Sequence, residues 1–309
     1  QYPFMHVTAI THRKNAVLPA TIVGVPPMED GYLGESVGDA FRPVLKFQHR
    51  DVVDLFLPLE TGFHNLAIVA SKQRYPRQAR KTALGLLGAG QLMFLKSIVA
   101  CDPEHPVKDL DALLDVLDSK VDISGDVQVL NGQVADSLAH ASPHLNVHDK
   151  VMIDASSPTH DDPMFGLTIP EGPGESLIDS VSKIEGVTQV RMLRPSMMVV
   201  TTNIEGGPRP EESVETVDEE GAAIQREHIV NLRDAIWSLK ESENLRWLFI
   251  TDDDADLEAD GWRRKLLWQF FCRFDVARDL HFDENRSRLA WDATAPIPSN
   301  TGPHPVRRW

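Results

Sequence analysis

The stretch FLKSIVACD, residues Phe94–Asp102, decides the predicted fold. Its centre, Ser97–Cys101, is a short apolar run that ends at an aspartate, as expected of a strand buried on both faces of a sheet. Runs rich in β-branched residues predict further strands, and apolar residues at helical spacing predict helices. The alternation of the two favours an α/β fold with layers of sheet and helix. The predicted strands are Phe4–Ile10, Val17–Gly24, Val52–Leu57 and Leu66–Ser71, and the predicted helices are Pro76–Leu95 and Val107–Leu117.

The same pattern returns in the second half of the chain. Leu245–Asp253 reads LRWLFITDD, again an apolar run with an acidic end, and Trp262–Phe274 shows helical spacing. We therefore predict a second, related α/β lobe with Ser97–Cys101 and Arg246–Ile250 as equivalent central strands; chance similarity is the alternative. The other aligned segments are Val121–Val127 with Phe274–Leu280 (matching Asp122 with Asp275 and Asp126 with Asp279) and Val151–Ala155 with Leu289–Ala293.

Two segments rich in Pro, Gly and acidic residues interrupt these patterns. Thr159–Ser176 predicts a linker and Gly206–Gly221 a loop. A length of 309 residues suits two domains. We therefore predict a first domain over residues 1–158, a linker over 159–176 and a second lobe over 177–309.

Charge and composition exclude several partners. The net charge of −15 repels nucleic acid and anionic membranes. No apolar run is long enough for a membrane helix, and no signal peptide is expected at the start of the chain. Cys101 and Cys272 lie in apolar segments and are predicted to be buried, reduced thiols. These features predict a cytoplasmic protein without a nucleic-acid partner.

Residues Gly85–Gln91 read GLLGAGQ, which suggests a dinucleotide-binding loop. Such a loop must follow a strand and open a helix, whereas these glycines lie inside a helical pattern. A glycine inside a helix costs about 1 kcal/mol relative to alanine. We therefore expect close packing against this helix face, with a bound ligand as the alternative.

Three other stretches are candidates for metal or acid–base chemistry. The acidic stretch Thr251–Trp262 lacks the Gly and Glu positions of a calcium-binding EF-hand loop; a Mg²⁺ site and a helix start that favours acids are the alternatives. His140, His144 and His148 are evenly spaced, but no Cys or acid completes a ligand set. Glu171–Ser176 pairs two carboxylates within the predicted linker and is expected to form a turn. No metal site is predicted in this chain.

A collinear series of motifs runs from Met5 to Ala155. It begins with VTAITHRKNAVLPATIVGVPPMEDGYLGE, continues with VDLFLPLETGFHNLAIVASKQRYPRQARKTALGLLGAGQLMF and KSIVACD, and ends with KVMIDAS. Together these stretches resemble the C-terminal domain of the UbiD family of decarboxylases, with its ITHR step, P-A-T-x-x-G strand and P-P-x-E-D turn. The motif RLAWDAT in the later half resembles the C-terminal extension of longer members.

The resemblance implies a carboxy-lyase that removes, or in reverse adds, a carboxylate on aromatic or α,β-unsaturated acids. It also implies prenylated FMN, held with a divalent metal (Mn or Mg) and K⁺ by an upstream flavin-binding domain. The family's catalytic acids lie in an E-G-P-[FY]-G-[DE] motif that would precede Gln1, so no catalytic residue is expected in this chain. The chain alone is then expected to be inactive. Its expected partners are the upstream domain, a small carboxylic acid and further copies in a homo-oligomer.

In the family, the C-terminal domain closes over the flavin and lines the substrate side of the pocket. Two groups of residues match the positions that do this, and ordinary core packing is the alternative for both. The departure from the family pattern at Ser156, where a Thr is usual, puts ligand contacts there in doubt. The predicted pocket residues are Leu33, Gly34 and Val37 in the first group, and Gly90, Leu92 and Met93 in the second.

Two other classes of function stay open at this point. One is a non-catalytic assembly or lid subunit of a split decarboxylase. The other is a Mg²⁺-dependent phosphohydrolase that would use Asp102 or Asp252, although no phosphate-binding motif accompanies either residue.

Overall fold

The computed structural model describes residues 3–20, 24–26, 28–62, 65–137, 139, 141–142, 144–204, 218–297 and 299. Strands and helices alternate over most of this range. In the first half they are α1 (Glu29–Gln48), β1 (Val52–Phe56), β2 (Leu66–Ser71), α2 (Gln78–Leu86), β3 (Ser97–Cys101), α3 (Leu110–Lys120), α4 (Ile123–Asp126), β4 (Val127–Val134) and β5 (Val147–Ala155). In the second half they are α5 (Ile178–Val181), β6 (Val187–Arg194), β7 (Met197–Thr202), α6 (Glu219–Ser238), β8 (Trp247–Asp252), α7 (Trp262–Arg273), α8 (Val276–Asp279), β9 (Leu280–Phe282) and β10 (Leu289–Ala293). Short 3₁₀ helices cover Leu59–Thr61, Gly90–Phe94, Gly174–Leu177 and Lys240–Ser242.

The strands form two sheets of the same topology. The first sheet has the order β1-β2-β3-β5-β4 and the second has the order β6-β7-β8-β10-β9. In each sheet the three inner strands are parallel and the two edge strands are antiparallel to their neighbours. The α/β fold with a second, related lobe is therefore confirmed. β3 and β8 occupy the same central place, although β8 covers Trp247–Asp252 rather than the predicted Arg246–Ile250. We call residues 52–155 the first lobe and residues 174–293 the second lobe.

The equivalence of the lobes extends to individual hydrogen bonds. Asp122 and Asp275 precede α4 and α8, and the side chain of each accepts a backbone N–H of the helix that follows. In return, Asp126 Oδ2 accepts from the Asp122 N–H at 3.0 Å, and Asp279 Oδ2 accepts from the Asp275 N–H at 2.7 Å. Such reciprocal capping satisfies donors that a short helix leaves free. The predicted alignment of these aspartates is therefore correct.

The hydrophobic core continues from one lobe into the other. One face of the first sheet packs against α2. The other face contributes Ile68, Val99 and Ile153 to a buried cluster that also contains Phe274 and Trp291 of the second lobe. Because burial of apolar area is the main stabilising term, this shared cluster joins the two lobes.

Two predicted strands near the start of the chain are wrong. The predicted strand Phe4–Ile10 has no β-pairing, and residues 17–20 and Gly24 of the predicted strand Val17–Gly24 have none either; residues 21–23 lie outside the described residues. Residues 3–20 are exposed throughout. Their β-branched residues favour a strand only where a neighbouring strand is available for pairing.

Several predicted boundaries also need correction. The helix predicted over Pro76–Leu95 ends at Leu86, and a 3₁₀ helix follows from Gly90, whose φ of +51° suits glycine. The helix predicted over Val107–Leu117 begins at Leu110, because the Asp109 side chain caps it. Of the predicted loop Gly206–Gly221, residues 206–217 lie outside the described residues, whereas residues 219–221 belong to α6. Cys101 is buried as predicted, but Cys272 is exposed.

Candidate functional site

The outer face of α1 carries an exposed apolar stripe. Leu33, Val37 and Phe41 are 60%, 48% and 65% exposed, and Val44 and Phe47 continue the stripe towards the end of the helix. The spacing of three to four residues places all five side chains on one face. A contiguous exposed apolar surface of this kind indicates a site of interaction. We call these five residues the α1 stripe.

The opposite side of α1 is held to the first lobe at a few points. Leu45 packs against the buried cluster beneath α2, and Arg42 Nε lies 3.8 Å from Asp54 Oδ1 on β1. At the start of the helix, a Cβ on Gly31 would come within 2.5 Å of the Leu59 side chain, so the backbone runs very close to that residue. The helix is thus seated on the lobe along one side while the α1 stripe faces away.

The second predicted group lies in the 3₁₀ helix before β3. Gly90 is exposed, whereas Leu92 is half-buried against the cluster beneath α2. Met93 is also half-buried, and its carbonyl accepts a hydrogen bond from Lys150 Nζ at 2.7 Å. This buried lysine therefore fixes the backbone of the turn. The close packing expected for the glycines of residues 85–91 holds only at Gly85, where an added Cβ would lie 3.3 Å from the His49 ring. It is wrong for Gly88, whose nearest neighbour is the Gly85 carbonyl at 3.8 Å, and for Gly90, which has no atom within 4 Å.

The two predicted groups lie at the same end of the first lobe. The 3₁₀ helices Leu59–Thr61 and Gly90–Phe94 lead into β2 and β3, which are parallel neighbours. Both 3₁₀ helices therefore lie at the N-terminal ends of these strands. The close approach of Gly31 to Leu59 brings the start of α1 to the same end of the sheet. The assignment of these groups to a substrate pocket stays a prediction.

Two buried lysines were not foreseen from the sequence. Burial lowers the pKa of both Lys96 and Lys150 to about 8. His148 Nε2 lies 3.4 Å from Lys150 Nζ, and burial, followed by the charge of Lys150, lowers the pKa of His148 to about 3. Each lysine donates to backbone carbonyls, which marks it as a structural group. A lysine set directly before an apolar strand is the signal that could have identified Lys96.

The aspartates that follow or end the central strands form ion pairs with basic residues of the same lobe. Asp102 accepts from Lys120 Nζ at 2.6 Å. Arg273 contacts both Asp252, at 3.1 Å, and Asp254, at 2.7 Å. Burial raises the pKa of Asp252 to about 6, with Arg273 acting in the opposite direction. These pairings leave the phosphohydrolase alternative without a free carboxylate at either position it would use.

The other candidate residues that the structure describes do not form a ligand set. His144 is exposed, His148 is buried, and His140 lies outside the described residues. Glu171 is exposed in the segment before the 3₁₀ helix Gly174–Leu177. Within the part of the chain that the structure describes, no group of three or more His, Cys, Asp or Glu side chains is placed to hold a metal ion.

Among the described residues, none of the helices combines the length and the apolar character that a bilayer span requires.

Comparison with known proteins finds a family match within the first half of the chain. Residues 31–155 match the model of the 3-octaprenyl-4-hydroxybenzoate carboxy-lyase C-terminal domain. This part of the chain is thus similar to the C-terminal domain of UbiD-family proteins.

Relatives and solved structures with similarity to the chain are longer than the matched region. An uncharacterized protein of Archaeoglobus fulgidus is 41% identical over 161 residues, which cover 52% of this chain and 34% of that protein. An uncharacterized protein of Aquifex aeolicus is 43% identical over 157 residues, covering 51% and 32%. The chain thus spans about a third of the length of the curated relatives it matches. The UbiD-class enzyme HmfF from Pelotomaculum thermopropionicum, solved with FMN, gives a TM-score of 0.39 at 17% identity, covering 52% of this chain and 35% of that one.

Proposed function

We propose that this chain is the C-terminal part of a carboxy-lyase that decarboxylates, or reversibly carboxylates, an aromatic or α,β-unsaturated acid. The observation that carries the proposal is the match of residues 31–155 to the UbiD C-terminal domain. The curated relatives extend well beyond the matched region, which agrees with a separate flavin-binding domain in the complete protein. The substrate itself is proposed only as a chemical class.

The proposed role of this part is to close the substrate pocket. The α1 stripe supports this role, because exposing apolar side chains to water costs free energy. A partner surface that covered the stripe would remove this cost. Closure of one domain over another excludes water and completes a catalytic site. In this proposal Leu33, Gly34 and Val37 face the substrate from α1, and Gly90, Leu92 and Met93 approach it from the 3₁₀ helix.

The cofactor proposed for the complete enzyme is prenylated FMN, which would accept electrons from the carbon that loses CO₂. The α1 stripe does not fit a role as its binding site, because its five side chains are apolar whereas a phosphate and a metal require charged ones. We therefore assign the flavin, the divalent metal and K⁺ to the upstream domain, and no chemical step to residues of this chain.

The test compares this chain with the complete protein. Each is purified, mixed with prenylated FMN and Mn²⁺, and freed of unbound flavin; flavin absorbance and CO₂ release from an aromatic acid are then measured. We expect stoichiometric flavin and turnover only for the complete protein. Flavin retention with turnover by the 309-residue chain alone would contradict the proposal.

A further inference from the structure

We propose that the two lobes pack against each other like the two subunits of a dimer. The second lobe covers the face through which two copies of the first lobe would pair. The distribution of acidic and basic residues at this face makes each lobe bind the other lobe rather than a copy of itself. The partner for this face is thus the related lobe of the same chain. The inference does not depend on the proposed decarboxylase activity, since it rests on the contacts between the lobes.

A basic residue directly before each central strand reaches into the opposite lobe. Lys96, before β3, donates to the carbonyls of Phe271 at 3.0 Å and Phe274 at 2.8 Å. Arg246, before β8, donates to the carbonyl of Val121 at 2.8 Å and to that of Asp118. Each cation therefore caps the C-terminal end of the other lobe's helix, where carbonyls are unpaired and the helix dipole favours positive charge.

The carbonyls that receive these bonds are equivalent in the two lobes. Val121 and Phe274 directly precede the aspartates that cap α4 and α8, and Asp118 and Phe271 lie one helical turn earlier. The same positions of one lobe thus contact the same positions of the other. This reciprocity is the property of an interface between two copies of one unit, in which residue i contacts j and j contacts i. Both lysine and arginine are buried there.

Ion pairs at the rim of this interface also repeat, but with their charges exchanged. Asp111 in the first turn of α3 lies 3.0 Å from Arg194, at the end of β6. Arg264, at the equivalent position of α7, lies 3.4 Å from Glu60, which follows β1. The helix therefore supplies the acid in the first lobe and the base in the second. The opposite partner comes from the end of β6 in one pair and from the connection between β1 and β2 in the other.

This exchange disfavours pairing between identical lobes. Two copies of the first lobe would set Asp111 against Glu60, and two copies of the second would set Arg264 against Arg194. Further contacts strengthen the bias: Asp111 also lies 2.7 Å from Arg263 of the second lobe, and Asp115 pairs with Arg194. Like charges across an interface suppress wrong partners, and opposite charges fix the right one.

The experiment cuts the connection between the lobes in the otherwise complete chain. A protease site is inserted between Gly166 and Leu167, two exposed residues of the connecting segment. After cleavage we expect both fragments to elute together at a 1:1 ratio with the mass of the uncut chain. Separation of the fragments in low salt, or pairs made of one kind of fragment, would overturn the proposal.

Charge exchange at one ion pair tests the selectivity. Glu60→Arg should weaken the association of the cut fragments about two- to fivefold, in line with an exposed ion pair, and should allow first-lobe fragments to pair through Asp111. Adding Arg264→Glu should restore the original pairing. Glu35→Arg is the matched control, because Glu35 lies 3.7 Å from Lys108 within the first half of the chain, and it should leave the association unchanged. Equal effects of Glu60→Arg and Glu35→Arg, or no recovery with Arg264→Glu, would contradict selection by charge.

Discussion

The first lobe presents two surfaces that meet very different surroundings. The surface formed by α3 and one face of the sheet is covered by the second lobe, with Phe274 fully buried between them. The outer face of α1 is apolar as well, yet Leu33 and Phe41 remain more than half exposed. The first surface has its partner within this chain. The difference agrees with the proposal that the α1 stripe is covered when the pocket of the complete protein closes.

The covered surface also shows what a permanent contact requires. Its buried cations, Lys96 and Arg246, each find carbonyl acceptors in the opposite lobe, because a buried charge without a partner is costly. The α1 stripe contains no such group and could be covered or exposed with a smaller penalty. This combination suits a surface that closes and opens.

Truncation of an aromatic side chain should give the largest difference in the free energy of unfolding between the two surfaces. Phe274→Ala removes a ring that contacts Phe270, Phe271 and Trp291, so we expect a loss of about 3–5 kcal/mol in the free energy of unfolding. Phe41→Ala on the α1 stripe should change it by less than about 0.5 kcal/mol. Chemical unfolding of both variants measures the difference. Similar losses would mean that the α1 stripe is part of the core.

Replacement of a buried cation should have the next largest effect. Lys96→Met leaves two carbonyls of the second lobe without their donor, so we expect a loss of about 1–3 kcal/mol at pH 7. Lys46→Met, at the exposed end of α1, should cost a few tenths of a kcal/mol. Chemical unfolding again measures both, and a negligible loss for Lys96→Met would show that the inter-lobe bonds contribute little.

The effect of Lys96 should also depend on pH in a defined direction. Its pKa is about 8 in the folded protein and 10.5 for an ordinary lysine. Between these values the unfolded chain binds more protons, so the free energy of unfolding rises with pH, by up to about 1.4 kcal/mol per pH unit. The gap between the native protein and Lys96→Met should therefore widen from pH 8 to pH 10. A constant gap over this range would place the folded pKa of Lys96 near its ordinary value.

The elements that were predicted correctly are those that a local sequence pattern determines. Ser97–Cys101 is a strand over the residues predicted, because an apolar run with an acidic end has few other solutions in an α/β fold. The aligned aspartates, such as Asp122 and Asp275, were correct because capping needs a defined residue at a defined place. Phe4–Ile10 was wrong because strand propensity acts only where a partner strand is present.

Contacts between distant parts of the chain could not be predicted in this way. The bonds from Lys96 to Phe271 and Phe274 join residues of different lobes, and no local spacing signals them. The proposed pocket residues rest on resemblance rather than on physical pattern. The structure places Leu33 and Gly90 at one end of the first lobe.

The smallest effect on stability, and the most informative for function, is expected for Leu33→Ala in the complete enzyme. Leu33 is 60% exposed, so its truncation should change the free energy of unfolding by less than about 0.5 kcal/mol. If the side chain meets the substrate when the domains close, the ratio of kcat/KM for a large and a small acid should shift by roughly tenfold, as expected when a hydrophobic pocket loses a few methylene groups.

Leu45→Ala provides the matched control on the same helix. Leu45 packs against the buried cluster beneath α2 rather than on the α1 stripe, so its truncation should lower stability while leaving the kcat/KM ratio unchanged. Both variants are measured by chemical unfolding and by kinetics on the same two acids. The opposite pattern, a large loss of stability for Leu33→Ala with an unchanged kcat/KM ratio, would mean that Leu33 is a core residue of the complete enzyme. The proposed pocket would then have to lie elsewhere than at the α1 stripe.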